Sequence, residues 1–589
     1  MLASNLLKVE NDFDFDIDLE KGLYVGAGLT MIGTSVEKSI MKPMYLKWSD
    51  LSGHVAVYGT TRVGKTRLMV SLIRQCILRG MDLLVVEPKG AVGNKKTDLG
   101  EDLGIGQETM AWVLQFAAEA GRLRDYRYVS PMFPNDSTKF NALYGLGNEE
   151  ISSLVATIIP AKEEFFTAMG YQITMCVLLG LEFLEKAEGQ EEVESIIREE
   201  YRKVYSGETN TIDAASFEDI SADNDLVARI NNPELNLAIL NEVNPPYRSL
   251  ITFADIATYA TQEGVNSILD HVKKVSSEQF NVTSNYERRE LEILKAEAIR
   301  ALTEMAEKDK QYFSKVSSSF NLIMSQLSTG ALGKILCTVK INPILDGFLN
   351  KKRGQILIIQ PFPLIFKKAS DAFVRVFFSV FSSLYGNIGA SGRGMPREIA
   401  LFVDEGGSVL YPGVEHLFNK AGGLGLRIFI FTQSFADYES ELGPEISSIV
   451  NDNTNTSIFM RMNDGKSKEL VSEAFGKDRI YENTYQGSKL DMRISTKSEE
   501  RSLLLPSHMG VMQKQEFLLK CGDGSFYCCA PDQPDPEVLF KMPEIEMEKT
   551  FKDFNDKYAP LESMLDNLSN IIDIKHYDKD ISKIKLKEV

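Results

Sequence analysis

One run of eight residues constrains this chain more than any other feature. Gly59-Thr60-Thr61-Arg62-Val63-Gly64-Lys65-Thr66 satisfies the pattern G-x-x-x-x-G-K-[ST] in full. A short apolar segment, residues 54–58, reads as a strand running into it. After it, Leu68, Met69, Leu72, Ile73, Cys76 and Ile77 recur at helical spacing, which predicts an amphipathic helix over residues 65–79 with Gly80 at its C-terminal cap. A strand that turns through glycines into a helix is suited to one ligand chemistry. Glycines let backbone N–H groups converge on phosphate oxygens, and the helix N-terminus adds positive potential. In that context Lys65 reaches the outer phosphates and the Thr66 hydroxyl takes a place on a magnesium ion. The expected nucleotide-binding residues are therefore Gly59, Thr60, Thr61, Arg62, Val63, Gly64, Lys65, Thr66 and Arg67, with ATP and Mg2+ as the ligands.

Such a loop needs acidic residues on a neighbouring strand. Residues 399–403 (Ile-Ala-Leu-Phe-Val) form a buried apolar run that ends in Asp404-Glu405. This delivers two carboxylates to the C-terminal edge of a sheet, where ligands of α/β proteins sit. Asp404 is the expected magnesium partner with Thr66, and Glu405 the general base for an attacking water. A further apolar strand, residues 427–431, ends in Thr432-Gln433-Ser434. Gln433 is the expected sensor of the γ-phosphate or of that water.

The wider pattern supports an α/β fold with an insertion. Strand and helix alternate over residues 54–130, the grammar of a parallel sheet. Phe13, Phe15, Ile17 and Leu19 alternate with acids, so residues 1–50 read as a β-rich N-terminal segment. From 151 to 330 the strand signal nearly vanishes, which predicts an inserted all-α domain. Its helices are expected over 163–186 and 286–311, with an acidic stretch over 181–220. Strands resume at 355–360, completing a nucleotide-binding domain from 51–150 and 331–540. Residues 541–589 read as a charged, helical tail.

The formal charge is −18, from 65 Lys+Arg against 83 Asp+Glu, which excludes a uniformly basic nucleic-acid binder. Six cysteines without a C-x-x-C pair and five scattered histidines offer no zinc spacing and suit a reducing, cytoplasmic compartment. The first residues do not read as a signal peptide. The longest apolar stretch, residues 173–184, reads as a buried helix too short to span a membrane.

Taken together, these sites resemble the coupling ATPases of conjugation and type IV secretion, above all the TraD-type proteins of integrative elements, and more widely the FtsK/HerA-like motor ATPases. The resemblance is carried by residues 59–68 (GTTRVGKTRL), 85–90 (VVEPKG), 140–145 (FNALYG), 401–405 (LFVDE) and 431–435 (FTQSF), in order across about residues 50–540. It implies a RecA-like domain with a central, mostly parallel sheet and an inserted all-α domain. It also implies a homohexameric ring with ATP sites between subunits. The ring would recruit DNA, single-stranded in this reading, together with relaxase, and pass it to a type IV secretion channel at the inner membrane. With no spanning segment expected, the chain would reach the cytoplasmic face through partners.

The sequence departs from that family in places. Glu87 stands where an Asp-Pro-Lys-Gly motif is usual. Some relatives carry an arginine finger at the position of Gly422; here Arg427 and Arg461 are the substitutes, each of which could instead hold a structural ion pair. Residues 386–394 (GNIGASGRG) are a candidate flexible loop for DNA. Two other readings share these features: a HerA/FtsK-like translocase in chromosome processing, which lacks a long helical insertion, and a nucleotide-gated substrate receptor with little turnover.

Overall fold

The computed structural model describes residues 18–30, 42–88, 92–96, 102–159, 164–189, 195–200, 250–282, 284–350, 354–366, 368–392, 394–411, 413–488 and 491–533. Fifteen strands are present among them: β1 (Leu23–Thr30), β2 (Lys42–Leu46), β3 (Val55–Tyr58), β4 (Asp82–Val86), β5 (Val92–Lys96), β6 (Asp102–Gln107), β7 (Tyr126–Val129), β8 (Ile356–Ile359), β9 (Ile399–Val403), β10 (Leu426–Thr432), β11 (Thr456–Phe459), β12 (Lys477–Ser488), β13 (Asp491–Ser502), β14 (Glu516–Cys521) and β15 (Gly524–Cys529). Eleven of them make one sheet in the order β2-β1-β15-β14-β11-β3-β10-β9-β4-β8-β7. From β11 to β7 every pairing is parallel. From β11 outward through β14, β15, β1 and β2 every pairing is antiparallel. The sheet is thus mixed and mostly parallel, the α/β class expected. The remaining strands form two hairpins, β5–β6 and β12–β13.

Central strands β3, β4, β8, β9 and β10 are buried at every position. Parallel strands are covered on both faces, which is why these segments read as unbroken apolar runs and not as alternating ones. In the middle of the sheet Phe402 and Phe429 stack with ring centroids 4.5 Å apart and planes 5° from parallel. The helix Lys65–Leu78 begins and ends within a residue of its expected bounds, and Gly80 follows with φ +82°. Leu68, Met69, Leu72, Ile73, Cys76 and Ile77, whose spacing defined it, are all buried, and Val70, Ser71 and Gln75 are buried with them.

Between Asn148 and Leu349 every described element is a helix. The expected helix over 286–311 is two: Asn285–Ala306, opened by a Ser284 cap that accepts from the Glu287 N–H at 3.1 Å, and then Lys310–Ser328. The helix Glu164–Glu188 lies within two residues of the expected 163–186 at each end. Over Phe165–Ala187 it is apolar and long enough to cross a membrane, yet it packs among the other helices. Gly180 permits that packing, because a Cβ there would lie 2.4 Å from Ile268 Cγ2 and 3.0 Å from Leu302 Cδ1. Residues 140–145 tie these helices to the sheet. The Phe140 N–H donates to Ile335 O at 2.9 Å, and Asn141 donates from its backbone to Ile341 O and from its side chain to Ile251 O. One continuous apolar cluster runs from Val86 and Leu401 in the sheet to Leu302 and Phe320 among the helices.

Several expectations meet a different outcome. Of the candidate loop 386–394, residues 386–391 are helical: the helix Lys368–Ser391 continues through Gly386 and Gly389, with Tyr385 and Ile388 buried. The apolar face of that helix overrides two glycines whose local cost is small. Phe13, Phe15 and Ile17, most of the acidic stretch 181–220 and the tail 541–589 lie outside the described residues.

Arg427 is a structural residue. It sits near the start of β10, paired with Ala400 in register, whereas Gln433 follows the strand's other end. It is buried, pairs with Glu398 and donates to Gly422 O at 2.7 Å. Its guanidinium thus takes the structural ion pair, the second reading of this residue, at the sheet edge opposite Gln433. Beside it, buried His54 donates from Nε2 to Phe418 O at 3.0 Å and accepts from the Ile428 N–H at Nδ1, 3.3 Å away. Acceptance at Nδ1 requires the neutral ring, since a protonated ring donates from both nitrogens. Burial first, and Arg427 in addition, push its pKa down from 6.5 to about 4, against the pull of the Phe418 carbonyl.

Two predictions follow from this edge of the sheet. Replacing Arg427 with Ala leaves Glu398 and the Gly422 carbonyl without their partner and should lower stability by about 2 kcal/mol, read from the denaturant midpoint. The depressed His54 pKa means the unfolded chain binds the extra proton first. Its contribution is complete above pH 6.5 and is lost as pH falls towards 4. The His54-dependent part of the loss between pH 7.5 and pH 5 should be about 2 kcal/mol, and denaturation of His54→Gln at the two pH values should lack that increment.

Candidate nucleotide-binding site

The loop at residues 59–66 leaves the C-terminal end of β3 and is fastened on both sides by backbone. The Gly59 N–H donates to Thr432 O at the end of β10, 3.2 Å away. The Thr60 N–H and hydroxyl both donate to Arg461 O beyond β11, at 2.9 and 3.3 Å. A Cβ on Gly59 would lie 2.8 Å from Met460 Cβ and 3.1 Å from Val63 Cγ2, so only glycine passes there. Arg62 and Gly64 hold φ of +64° and +109°, which curl the loop into a cup. The helix Lys65–Leu78 then opens with no side chain capping it, so its first N–H groups face the cup. Lys65 Nζ donates to the carbonyls of Gly59 and Thr60 across the mouth of the loop.

The acidic pair stands at the same sheet edge, two strands away. The Asp404 N–H is anchored to Val86 O of β4 at 2.9 Å, and its buried carboxylate accepts the Glu405 N–H at 3.1 Å. Glu405 takes the left-handed conformation, φ +50° and ψ +58°, as it opens the short helix Gly406–Val409. A non-glycine residue held there costs on the order of 1 kcal/mol, a strain typical of functional turns. Gln433, at the end of the intervening strand, donates from Nε2 to Glu405 Oε1 at 3.3 Å. The sheet order thus brings together the phosphate loop, Gln433 and the acids, which the sequence scatters across more than half its length.

Sequence reasoning missed Asp437. One carboxylate oxygen, Oδ2, accepts from the Thr432 hydroxyl at 3.3 Å and from the Gln433 and Ser434 N–H groups at 3.0 Å each, so it shapes the turn that presents Gln433. Ser434-Phe435-Ala436-Asp437 is a capping box, a signal available in the chain. Behind the loop, Tyr58 stacks on Phe435 and on Phe459, with centroids 4.4 and 5.4 Å apart, locking three strand ends together. Glu87, 1% exposed, accepts from Thr109 at 3.1 Å and from Gln360 at 3.2 Å, and so braces the end of β4. The Arg461 carbonyl accepts from Thr60 of the loop, and the rest of the residue is half-buried. Thr61 and Arg62 lie exposed at the rim; Thr66 and Arg67 are half-buried in the first helical turn. Among the described residues no cluster of His, Cys, Asp and Glu makes a separate metal site.

Residues 398–514 match the family described as the TraM recognition site of TraD and TraG. That span starts just before β9 and takes in Asp404, Glu405, Gln433 and Asp437. No curated protein matches the chain. Among solved structures, the bacterial conjugative coupling protein TrwBdeltaN70 superposes with a TM-score of 0.51 at 12% identity, covering 85% of this chain and 90% of its own. TrwB in complex with a non-hydrolysable ATP analogue gives 0.46 at 14% identity, covering 88% and 97%. VirB4 of Thermoanaerobacter pseudethanolicus gives 0.43 at 10% identity, covering 88% and 98%. Only the first score exceeds 0.5, and at its identity it speaks to fold alone. The chain thus shares the fold of TrwBdeltaN70, and its residues 398–514 match the family described as the TraM recognition site of TraD and TraG.

Proposed function

We propose that this chain is an ATP-hydrolysing coupling motor that recruits DNA with its relaxase and delivers it to a type IV secretion channel during conjugation. The observation that carries the reading is the Gln433–Glu405 hydrogen bond, held at one sheet edge with the phosphate loop. A loop that served only to bind nucleotide would not need a carboxylate strained outward beside Asp404 and engaged by a polar sensor.

The residues fit Mg·ATP. Gly59 and Gly64 leave room and backbone freedom for a phosphate cradle, Lys65 supplies a cation, and Thr66 and Asp404 supply a hydroxyl and a carboxylate for a hard cation. Magnesium would neutralise charge on the outer phosphates. Lys65 would hold the β- and γ-phosphates. Glu405 would orient the attacking water and accept its proton, and Gln433 would keep that carboxylate aimed while sensing the γ-phosphate. Relaxosome proteins as partners are supported by the match of residues 398–514 to a region described in TraD and TraG as recognising TraM. DNA as cargo, the homohexameric ring, and attachment to the cytoplasmic face of the inner membrane through channel components rest on the family resemblance.

Two measurements test this. Lys65→Ala should lose both Mg·ATP binding and hydrolysis. Glu405→Gln should keep binding and lose about 100-fold or more in turnover; hydrolysis at the parental rate would remove Glu405 from the role of base. Single- or double-stranded DNA should raise the ATPase rate of the assembled wild-type protein. Rings that turn over ATP without regard to DNA would sink the motor, and negligible turnover under all conditions would favour the substrate receptor.

A further inference from the structure

The reading of residues 59–66 as a triphosphate cradle leaves the other end of the nucleotide unassigned. The γ-phosphate end must face the acids and Gln433, which lie towards β10 and β9. The nucleoside end then leaves the loop in the opposite direction, towards β11 and β14. The strand directions supply a wall there. β14 runs antiparallel to β11, so Gln515, just before it, lies at the same sheet edge as the phosphate loop. β15 runs antiparallel to β14 in turn, so residues 530–533, just after it, return to that edge.

These two segments are fastened to the loop and to each other. The Gln515 N–H donates to Val63 O at 2.8 Å, and its Cγ lies 3.1 Å from where a Gly64 Cβ would stand. The Ala530 N–H donates to Gln515 O at 2.9 Å, and Gln515 Nε2 donates to Asp532 Oδ1 at 3.2 Å. Arg67, one turn into the helix, donates to Gln533 O and holds its guanidinium 5.4 Å from the Trp112 ring centre. Gln515 keeps this position at φ +70°, a conformation that a glutamine holds only when its surroundings impose it.

We propose that Gln515 and residues 530–533 form the nucleoside subsite of the phosphate loop. Gln515 presents an amide, and Asp532 an exposed carboxylate, to the ribose and base of a bound nucleoside triphosphate. The inference rests on the nucleotide reading above, and its test separates the two. Mg·ATP and Mg·tripolyphosphate, which shares the phosphates and lacks the nucleoside, are titrated calorimetrically into the full chain and into Gln515→Ala and Asp532→Asn.

Wild type should bind ATP more tightly than tripolyphosphate. Gln515→Ala should weaken ATP about tenfold and Asp532→Asn several-fold, with tripolyphosphate unchanged in both. Asp532 is exposed, so its variant reports even where Gln515→Ala fails to fold. Equal loss for both ligands, or unchanged ATP affinity in both variants, would overturn the subsite. So would a wild type that binds tripolyphosphate as tightly as ATP, and that result would leave the cradle intact. A wild type that binds neither would overturn cradle and subsite together.

Discussion

The functional edge of this molecule depends on backbone hydrogen bonds between strand ends. Gly59 N–H to Thr432 O and Thr60 N–H to Arg461 O hold the loop between its two neighbours. Asp404 N–H to Val86 O does the same for the acids. A phosphate loop by itself is a floppy glycine turn. Sewn to the ends of β10 and β11, it becomes a rigid cup at a fixed distance from Gln433 and Glu405. Preorganised groups need not be reordered at the moment of reaction, which is where such a site gains its advantage.

The rigidity is built from both sides of the sheet. Tyr58, Phe435 and Phe459 pack three strand exits against one another, and Asp437 ties down the turn that carries Gln433. At the opposite edge the neutral His54 and the Arg427–Glu398 pair close the strand entrances. Residues 140–145, part of the family resemblance, fasten the sheet to the helical block. Asn141 distributes its side-chain hydrogen bonds to Ile251 and Lys340, segments more than 100 residues away in the chain.

The interior strands and the helix Lys65–Leu78 were legible because burial on both faces demands unbroken apolar runs and a one-sided stripe. Lys65, Asp404, Glu405 and Gln433 were legible because each follows such a run. Other residues carried no such signature. Arg427 has two readings in the chain, a substitute arginine finger or a structural ion-pair partner, and is a buried partner of Glu398 in the fold. Residues 386–391 looked like part of a glycine loop and are the end of a helix whose other face is covered. Gln515 has no motif at all; only the reversal of strand direction at β14 returns it to the phosphate loop.

Local patterns therefore determined what each segment is: period, turn chemistry and phosphate-loop spacing act over a few residues and can be read from neighbours. Which segments meet was decided by the sheet. The order β11-β3-β10-β9 sets the loop, Gln433 and the acids side by side, and the antiparallel return of β14 and β15 brings Gln515 and residues 530–533 to the same edge. That order arises from packing apolar faces hundreds of residues apart, a balance of many weak contacts that no short stretch of chain encodes.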